Sequence, residues 1–312
     1  MNRLLERIES AKHVVVVSCI DPDADSLSSA SAFYTHLLRL HKKVSFFCCT
    51  KDLDPRFVFL PWFEKIRSSF PSSADLVIAL GCVTQDQLGA DVTCDIVNID
   101  HHKNNDHFGD LSLVKPECIS TTQVLIHLFK EMDVKINKKM ATALYAGLLQ
   151  ASEGFLDDDV DGTVFADVSE LLTLGAEHKI CNDFIMKRTS LGAFRLKAIM
   201  FKKMQLKHEA RVAVFCIDDD DMRSSGALSR DCETPLQEAL SLASVEVSLL
   251  LQQEKDLGIK GLLFVKRSLD LDAFTSSLSA DVYKNRASFY LEAPRSLEDA
   301  KKLVLKKIYE EM

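Results

Sequence analysis

The chain has no C-x-x-C pair, no apolar run approaching the length of a membrane span, and no internal repeat or low-complexity tract. The first absence removes finger-type metal sites, the second removes membrane-spanning helices, and the third removes repeat architectures. The opening segment Met1-Asn2-Arg3-Leu4-Leu5-Glu6 starts a short amphipathic helix and lacks the unbroken apolar core of a signal peptide, so a cytoplasmic location is expected. Positive charge is also in short supply. A formal net charge of -8 at pH 7 argues against a chain held to long duplex nucleic acid by bulk electrostatics, while local basic clusters remain able to grip a small anionic ligand. Nine cysteines are scattered, several inside strand-like apolar runs, and read as reduced, buried thiols. With 47% hydrophobic and 27% charged residues over 312 positions, the chain is a globular protein expected to divide into two domains.

The rest is organised around Val14-Val15-Val16-Val17-Ser18-Cys19-Ile20-Asp21-Pro22-Asp23-Ala24-Asp25. Four valines without alternation predict a strand covered on both faces, as in parallel sheets of α/β domains. Asp21-Pro22 ends it, and Leu27, Ala30, Phe33, Tyr34, Leu37 and Leu38 recur at helical spacing. The acidic turn therefore lies between the carboxyl end of a strand and the start of a helix, where open α/β sheets place their sites. Capping needs one Asp; three within five residues put a metal or phosphate site ahead of capping alone.

Further strands are expected at 44–49, 75–80 and 95–99, with helices at 119–132 and 137–150, which predicts a parallel, doubly wound sheet. From 163 to 207 the pattern is mostly helical. It then restarts with a strand at 210–217, a helix holding Leu236, Leu240 and Ala243, strands near 245–252 and 260–266, and a helix from Ser296. The expectation is α/β throughout: a parallel-sheet domain at 1–190, a helical connector at 191–208 and a smaller α/β domain at 209–312. Asp157 to Asp161 and Asp218 to Asp221 read as acid-rich turns.

A second candidate for chemistry is Asn98-Ile99-Asp100-His101-His102 at the end of the fourth strand. Imidazole beside carboxylate suits Mn, Zn or Fe, whereas carboxylates alone suit Mg or Ca.

These motifs resemble those of the DHH-family phosphoesterases, in the subgroup of nanoRNases and pAp phosphatases with a DHH-associated C-terminal domain. The first motif, H-x-x-P-D-x-D, is echoed by Cys19 through Asp25, and the name-giving motif stands as Asp100-His101-His102. Ile78-Ala79-Leu80-Gly81-Cys82 resembles the second-motif strand and Leu144 through Ala151 the fourth-motif helix. Asn104, Asp106, Phe108 to Asp110, Pro116-Glu117 and Ser120-Thr121-Thr122 follow in the family's manner, and Lys266-Arg267-Ser268, Lys284-Asn285, Ala287 and Phe289 resemble its substrate-meeting strand end and the tail of its glycine-rich loop.

The resemblance implies a Mn-type divalent metal site and a nucleotide or short oligoribonucleotide ligand, and a homodimer is compatible with it. It implies two metals in active relatives, at places that here read Cys19, Asp23, Asp25, Gly81, His101 and Ala151. Three of the six are substituted, and glycine at the bridging place removes the charge that lets two cations coexist. At most one ion is therefore expected, near Asp23, Asp25 and His101, with Cys19 as a soft fourth donor; Cys82 and Glu153 are poorly directed to replace the missing acids. Asp100, His102 and Arg267 are the implied catalytic residues, and Arg267, Tyr283, Lys284 and Asn285 the implied substrate contacts. Ala280-Asp281-Val282-Tyr283 replaces the loop glycines and brings in a negative charge. The expectation is a homologue with lost or reduced phosphohydrolase activity that binds a nucleotide or a partner protein, the alternative being an active phosphoesterase with a non-standard metal site. Restoring Gly81→Asp, Ala151→Asp and Cys19→His together is expected to rebuild the six places.

Overall fold

The computed structural model describes residues 2–254, 258–266, 271, 275, 278, 280–283, 285–291 and 296–312. Its two compact units are Met1–Arg188 and Thr189–Met312.

In the first unit, the four valines lie in β1 (His13–Ser18), every residue of which is buried. β2 (Lys43–Phe47), β3 (Ile66–Arg67), β4 (Leu76–Leu80), β5 (Asp95–Asp100) and β6 (Leu111–Val114) complete a parallel sheet in the order β3-β2-β1-β4-β5-β6. The chain builds outward from β1 on one side, then crosses to the other side for β4. That reversal opens a crevice at the carboxyl ends of β1 and β4. Alternate strand residues face two cores, because successive side chains of a strand point to opposite faces. Val14, Val16, Ile78 and Ile99 pack under the helices, while Val15, Val17, Val77, Ala79 and Cys82 pack on the other side with Phe47 and Leu88.

Three helices on the first face position the crevice. α2 (Ala24–Arg39) starts at the acidic turn with Asp23 as N-cap, α3 (Thr121–Glu131) starts with Ser120 as N-cap, and α4 (Lys138–Ala151) starts with Asn137. Small residues let them approach closely. A Cβ at Gly147 on α4 would stand 2.4 Å from Thr122 Cγ2 and 3.1 Å from Asp25 Cα, so only glycine admits this approach. α5 (Gly162–Thr173) follows, capped by Asp161, and α6 (His178–Cys181) lies near the unit's end.

In the second unit, α7 (Leu191–Lys203), which covers most of the expected connector, buries Leu196 and Met200 against Phe215. A short strand, β7 (Gln205–Lys207), was not expected from sequence and pairs with β8 (Val212–Ile217). β8 runs parallel to β9 (Val247–Glu254), and β10 (Gly258–Val265), β11 (Asp281–Tyr283) and β12 (Arg286–Leu291) add antiparallel neighbours. α9 (Glu233–Leu240) packs on one face and α10 (Leu297–Glu311) on the other. The acid run at 218–221 is corrected by the structure. It starts α8 (Asp219–Ser225), with Asp218 and Asp221 forming a reciprocal capping box, because carboxylates at a helix N-terminus satisfy its unpaired N–H groups. No helix among the described residues is long and apolar enough to cross a membrane.

Candidate metal centre

Asp25 lies in the first turn of α2, only 4% exposed. Its Oδ2 accepts from the Thr121 N–H at 2.7 Å, and its Oδ1 accepts from the Thr122 N–H at 2.9 Å and hydroxyl at 2.8 Å. One carboxylate thus ties the start of α2 to the start of α3, at the positive end of the α3 dipole.

His101, just past β5, faces it. Its Nδ1 is 3.3 Å from the Cys118 carbonyl, which can only accept, so Nδ1 carries the proton and the Nε2 lone pair looks toward Asp25 Oδ2 at 4.0 Å. Burial pushes His101 down, against the pull of Asp25, and favours the neutral ring. Two acceptors therefore face each other with no proton between them, the arrangement a cation resolves.

Asp100 is fully buried and fully engaged. Its Oδ1 receives His102 Nδ1 at 2.8 Å and the Thr121 hydroxyl at 3.4 Å, and its Oδ2 receives Asn105 Nδ2 at 2.7 Å. Burial works in the opposite direction, but the His102 hydrogen bond and charge, with the Asn105 bond, hold Asp100 below the usual carboxylate range. The same contact lifts His102 above the usual imidazole range in spite of its burial. Asp100, His101 and His102 have donor atoms within 4.8 Å of one another, the one such group among the described residues. Because both Asp100 oxygens already hold protein donors, this group reads as a braced Asp–His pair beside one available imidazole rather than as three open ligands.

Around the acidic turn, Asp23 is exposed, and desolvation of its carboxyl together with the Asp25 charge pushes it up. Its Oδ1 accepts from the Ser26 N–H at 2.8 Å. Asp21, the third carboxylate, is exposed and turned toward Thr50, whose hydroxyl lies 3.4 Å from its Oδ1. Cys19 points to the Ser26 hydroxyl at 3.4 Å, and burial with the Asp23 charge raises its thiol to about 12. It stands here as a thiol.

Gly81, at the end of β4, adopts φ +66°, a left-handed backbone that disfavours side chains. A Cβ there would lie 2.8 Å from Ser26 Cβ and 3.2 Å from Ser26 Cα. The expectation that Gly81→Asp, Ala151→Asp and Cys19→His together rebuild the six places therefore meets an obstacle at 81, where a Cβ on this backbone needs a shift of the first turn of α2. Ala151 ends α4, and the preceding Gln150 accepts from the Ala24 N–H, which brings the end of α4 to the acidic turn. Cys82 is buried in the opposite core, and Glu153 is exposed beyond α4.

In the second unit, Arg267 and Lys284 lie outside the described residues, as does the Tyr283 side chain. Asn285 is half-buried in the turn before β12, where its carbonyl accepts from the Val265 N–H at 3.0 Å. Asp281 is exposed in β11, opposite Ser288.

Ser26, Asn105 and Gln150 were not singled out from sequence. A serine in a first helical turn, an asparagine in a loop and a glutamine at a helix end carry no chemical signal until their partners are in place.

A family model for the DHH family, N-terminal domain, matches residues 13–148. The bifunctional oligoribonuclease and PAP phosphatase NrnA of Thermus thermophilus is 28% identical over 168 residues, which are 53% of this chain and 51% of that protein, so the match spans about half of that relative. The protein of that name from Bacillus subtilis is 21% identical over 260 residues, 81% of this chain and 82% of that one. Among solved structures, an exopolyphosphatase-related protein from Bacteroides fragilis superposes with a TM-score of 0.88 at 19% identity, covering 99% of this chain and 95% of its own. RecJ of Thermus thermophilus in complex with Mn2+ gives a TM-score of 0.59 at 14% identity, covering 99% of this chain and 54% of its own. At these identities the solved structures bear on the fold alone. The motifs, the sheet order and the family match agree, and residues 13–148 are an N-terminal domain of the DHH family.

Proposed function

We propose that this DHH phosphoesterase homologue has lost or strongly reduced phosphohydrolase activity and acts by binding a nucleotide, a short oligoribonucleotide or a partner protein. The observation that carries the reading is the single facing pair of acceptors, Asp25 Oδ2 and His101 Nε2, 4.0 Å apart. With Asp23 beside them, and Cys19 if its proton is displaced, these residues suit one divalent cation such as Mn2+. Such an ion would polarise a phosphoryl oxygen. A second ion would need a shared acid, and the place for it is Gly81. Asp100 and His102 would orient a bound phosphate rather than complete a hydrolytic site, and Arg267, Tyr283, Lys284 and Asn285 are the proposed contacts of the second unit. The names of the NrnA relatives, an oligoribonuclease and PAP phosphatase, suggest the class of ligand.

A second reading, an active phosphoesterase with a non-standard metal site, is favoured by one observation. The Asp100–His102 pair is held at 2.8 Å and braced by Asn105, an orientation of the kind used for proton transfer and phosphate contact. The deciding experiment combines metal analysis of the purified chain with turnover of pAp and a dinucleotide in added Mn2+. The expected result is no more than one ion per chain and hydrolysis near background; robust Mn2+-dependent turnover would overturn the first reading in favour of the second.

A further inference from the structure

We propose that Ser73 is a nucleophile, with His13 as its base and Lys43 as its electrostatic partner, that takes an acyl group from a small ester. The site lies at the amino end of β1 and is separate from the metal centre at the carboxyl ends of the strands. His13 opens β1 on the face that carries Val15 and Val17. Lys43 and Ser45 pair with His13 and Val15 in the sheet register, so all three polar side chains emerge on that face. His13 is only 4% exposed. Its Nδ1 lies 2.8 Å from the Ser73 hydroxyl oxygen and its Nε2 2.9 Å from that of Ser45. Asp75 fixes the start of the strand, its Oδ2 and Oδ1 accepting from the Lys12 and His13 N–H groups at 2.8 and 2.9 Å. Ser73 itself is exposed, as is Lys43, whose Nζ donates to the Ser73 oxygen at 3.4 Å.

The donors and acceptors run in one direction. An ammonium only donates, so Lys43 occupies a lone pair of Ser73, and the serine proton is directed to His13 Nδ1. The imidazole proton then sits on Nε2 and is given to Ser45. Burial, with the Lys43 charge, pushes His13 below the ordinary imidazole range, against the Ser73 hydrogen bond and the Asp75 charge, so the ring is neutral and able to accept near neutral pH. Nucleophilic catalysis by serine asks for a base within hydrogen-bond reach and a third group that holds the base. Here a cation also stands beside the oxygen on which negative charge develops. Packing alone asks that both nitrogens of a buried ring be satisfied; it does not ask that one partner face solvent beside a cation. In the step, Ser73 Oγ bonds to the carbonyl carbon of the ester as its proton passes to His13 Nδ1. The C–O bond to the alcohol breaks, the leaving alcohol takes that proton, and the acyl group stays on Ser73. A polar hollow lined by Arg7, Ser10, Asp75 and Asp95 opens at the same end of the sheet and favours a small polar ester.

The test uses an alkyl fluorophosphonate on the full chain, read by intact mass and peptide mapping. The probe stands in for the ester: an O–P bond forms, the P–F bond breaks and fluoride leaves. One adduct per chain, on Ser73, is the expected result, with none on Ser73→Ala. His13→Gln should label about 100-fold more slowly, the low end of what a positioned base contributes. The charged groups that face His13 are Lys43 of β2 and Asp75 before β4, and the first has the larger effect. The labelling rate should therefore rise as His13 loses its proton and level off below the ordinary imidazole value of 6.5. Ser45 is a positioning residue: Ser45→Ala should slow labelling, and Ser45→Thr, which keeps the hydroxyl, should restore it. This pair decides the matter if His13→Gln does not fold. No adduct, an adduct on another residue, equal rates for the native chain and the His13 or Ser45 variants, or a rate that climbs without a plateau into the alkaline range would overturn the proposal.

Discussion

Asp25 and Thr122, 97 positions apart in the chain, are joined by two hydrogen bonds, the Thr122 N–H at 2.9 Å and its hydroxyl at 2.8 Å to the same carboxylate oxygen. A residue proposed as a metal ligand therefore also fastens the starts of two helices. The proposed metal site and the fold share this carboxylate.

The first prediction follows from that double use. Asp25→Ala removes the acceptor and leaves the Thr121 and Thr122 N–H groups buried without it, at a cost of about 2–4 kcal/mol, since hydrogen bonds to charged groups contribute roughly 1.5–3 kcal/mol each and are only partly additive. Urea denaturation in the presence of a chelator should show the full loss. If the loss appeared only when Mn2+ was present, Asp25 would be acting through an ion and not as a clamp.

A second prediction concerns the facing acceptors. Removing one of them as His101→Ala should abolish high-affinity Mn2+ binding measured by calorimetry, because Asp25 and Asp23 alone leave too few donors. Binding of one ion to the native chain and none to the variant is the expected result. Two ions on the native chain would show that an acid or thiol other than those at the acidic turn reaches the site.

Much of this was legible in the sequence, for identifiable reasons. Four valines in β1 and the run Leu76–Leu80 in β4 are apolar without alternation, so their burial between two cores could be read directly. β3 has two residues and β6 has four, too short for any periodicity to register. At the site, residue types and spacing located Asp23, Asp25 and the Asp100 to His102 run, and the family resemblance marked Gly81 as a departure. They gave no sign that Ser26 lies beside Gly81 or that Asp25 accepts the first N–H groups of α3, because both depend on which elements the sheet order brings together.

The third prediction revises the repair of the site. The triple replacement Gly81→Asp, Ala151→Asp and Cys19→His should fold poorly and remain without Mn2+-dependent hydrolysis of pAp, since the new acid at 81 collides with Ser26 and takes an unfavourable left-handed backbone. Efficient turnover by the triple variant alone, measured as phosphate release, would show that α2 yields more readily than its hydrogen bonds suggest.

The last prediction lies away from the site and concerns pH. His36, in the last turn of α2, is 5% exposed, with its ring 5.9 Å from Phe33 and 5.4 Å from Phe129, and its Nε2 has no hydrogen-bond partner among the described residues. Burial, with a smaller push from the Arg39 charge, lowers its pKa from 6.5 to about 4. The folded state therefore holds His36 neutral in a range where the unfolded chain protonates it. Between pH 6.5 and about 4 the unfolded chain binds more protons, so stability is fully present above 6.5 and is lost as pH falls through this window. A shift of this size corresponds to about 3 kcal/mol at the low end. Replacing the ring as His36→Leu should remove that part of the pH dependence: the difference in unfolding free energy between native and variant chains should change by about 3 kcal/mol from pH 7 to pH 4, in favour of the variant at low pH. Parallel stability curves over this interval would mean that His36 is protonated in the folded protein, and that the aromatic cage around it accommodates the charge.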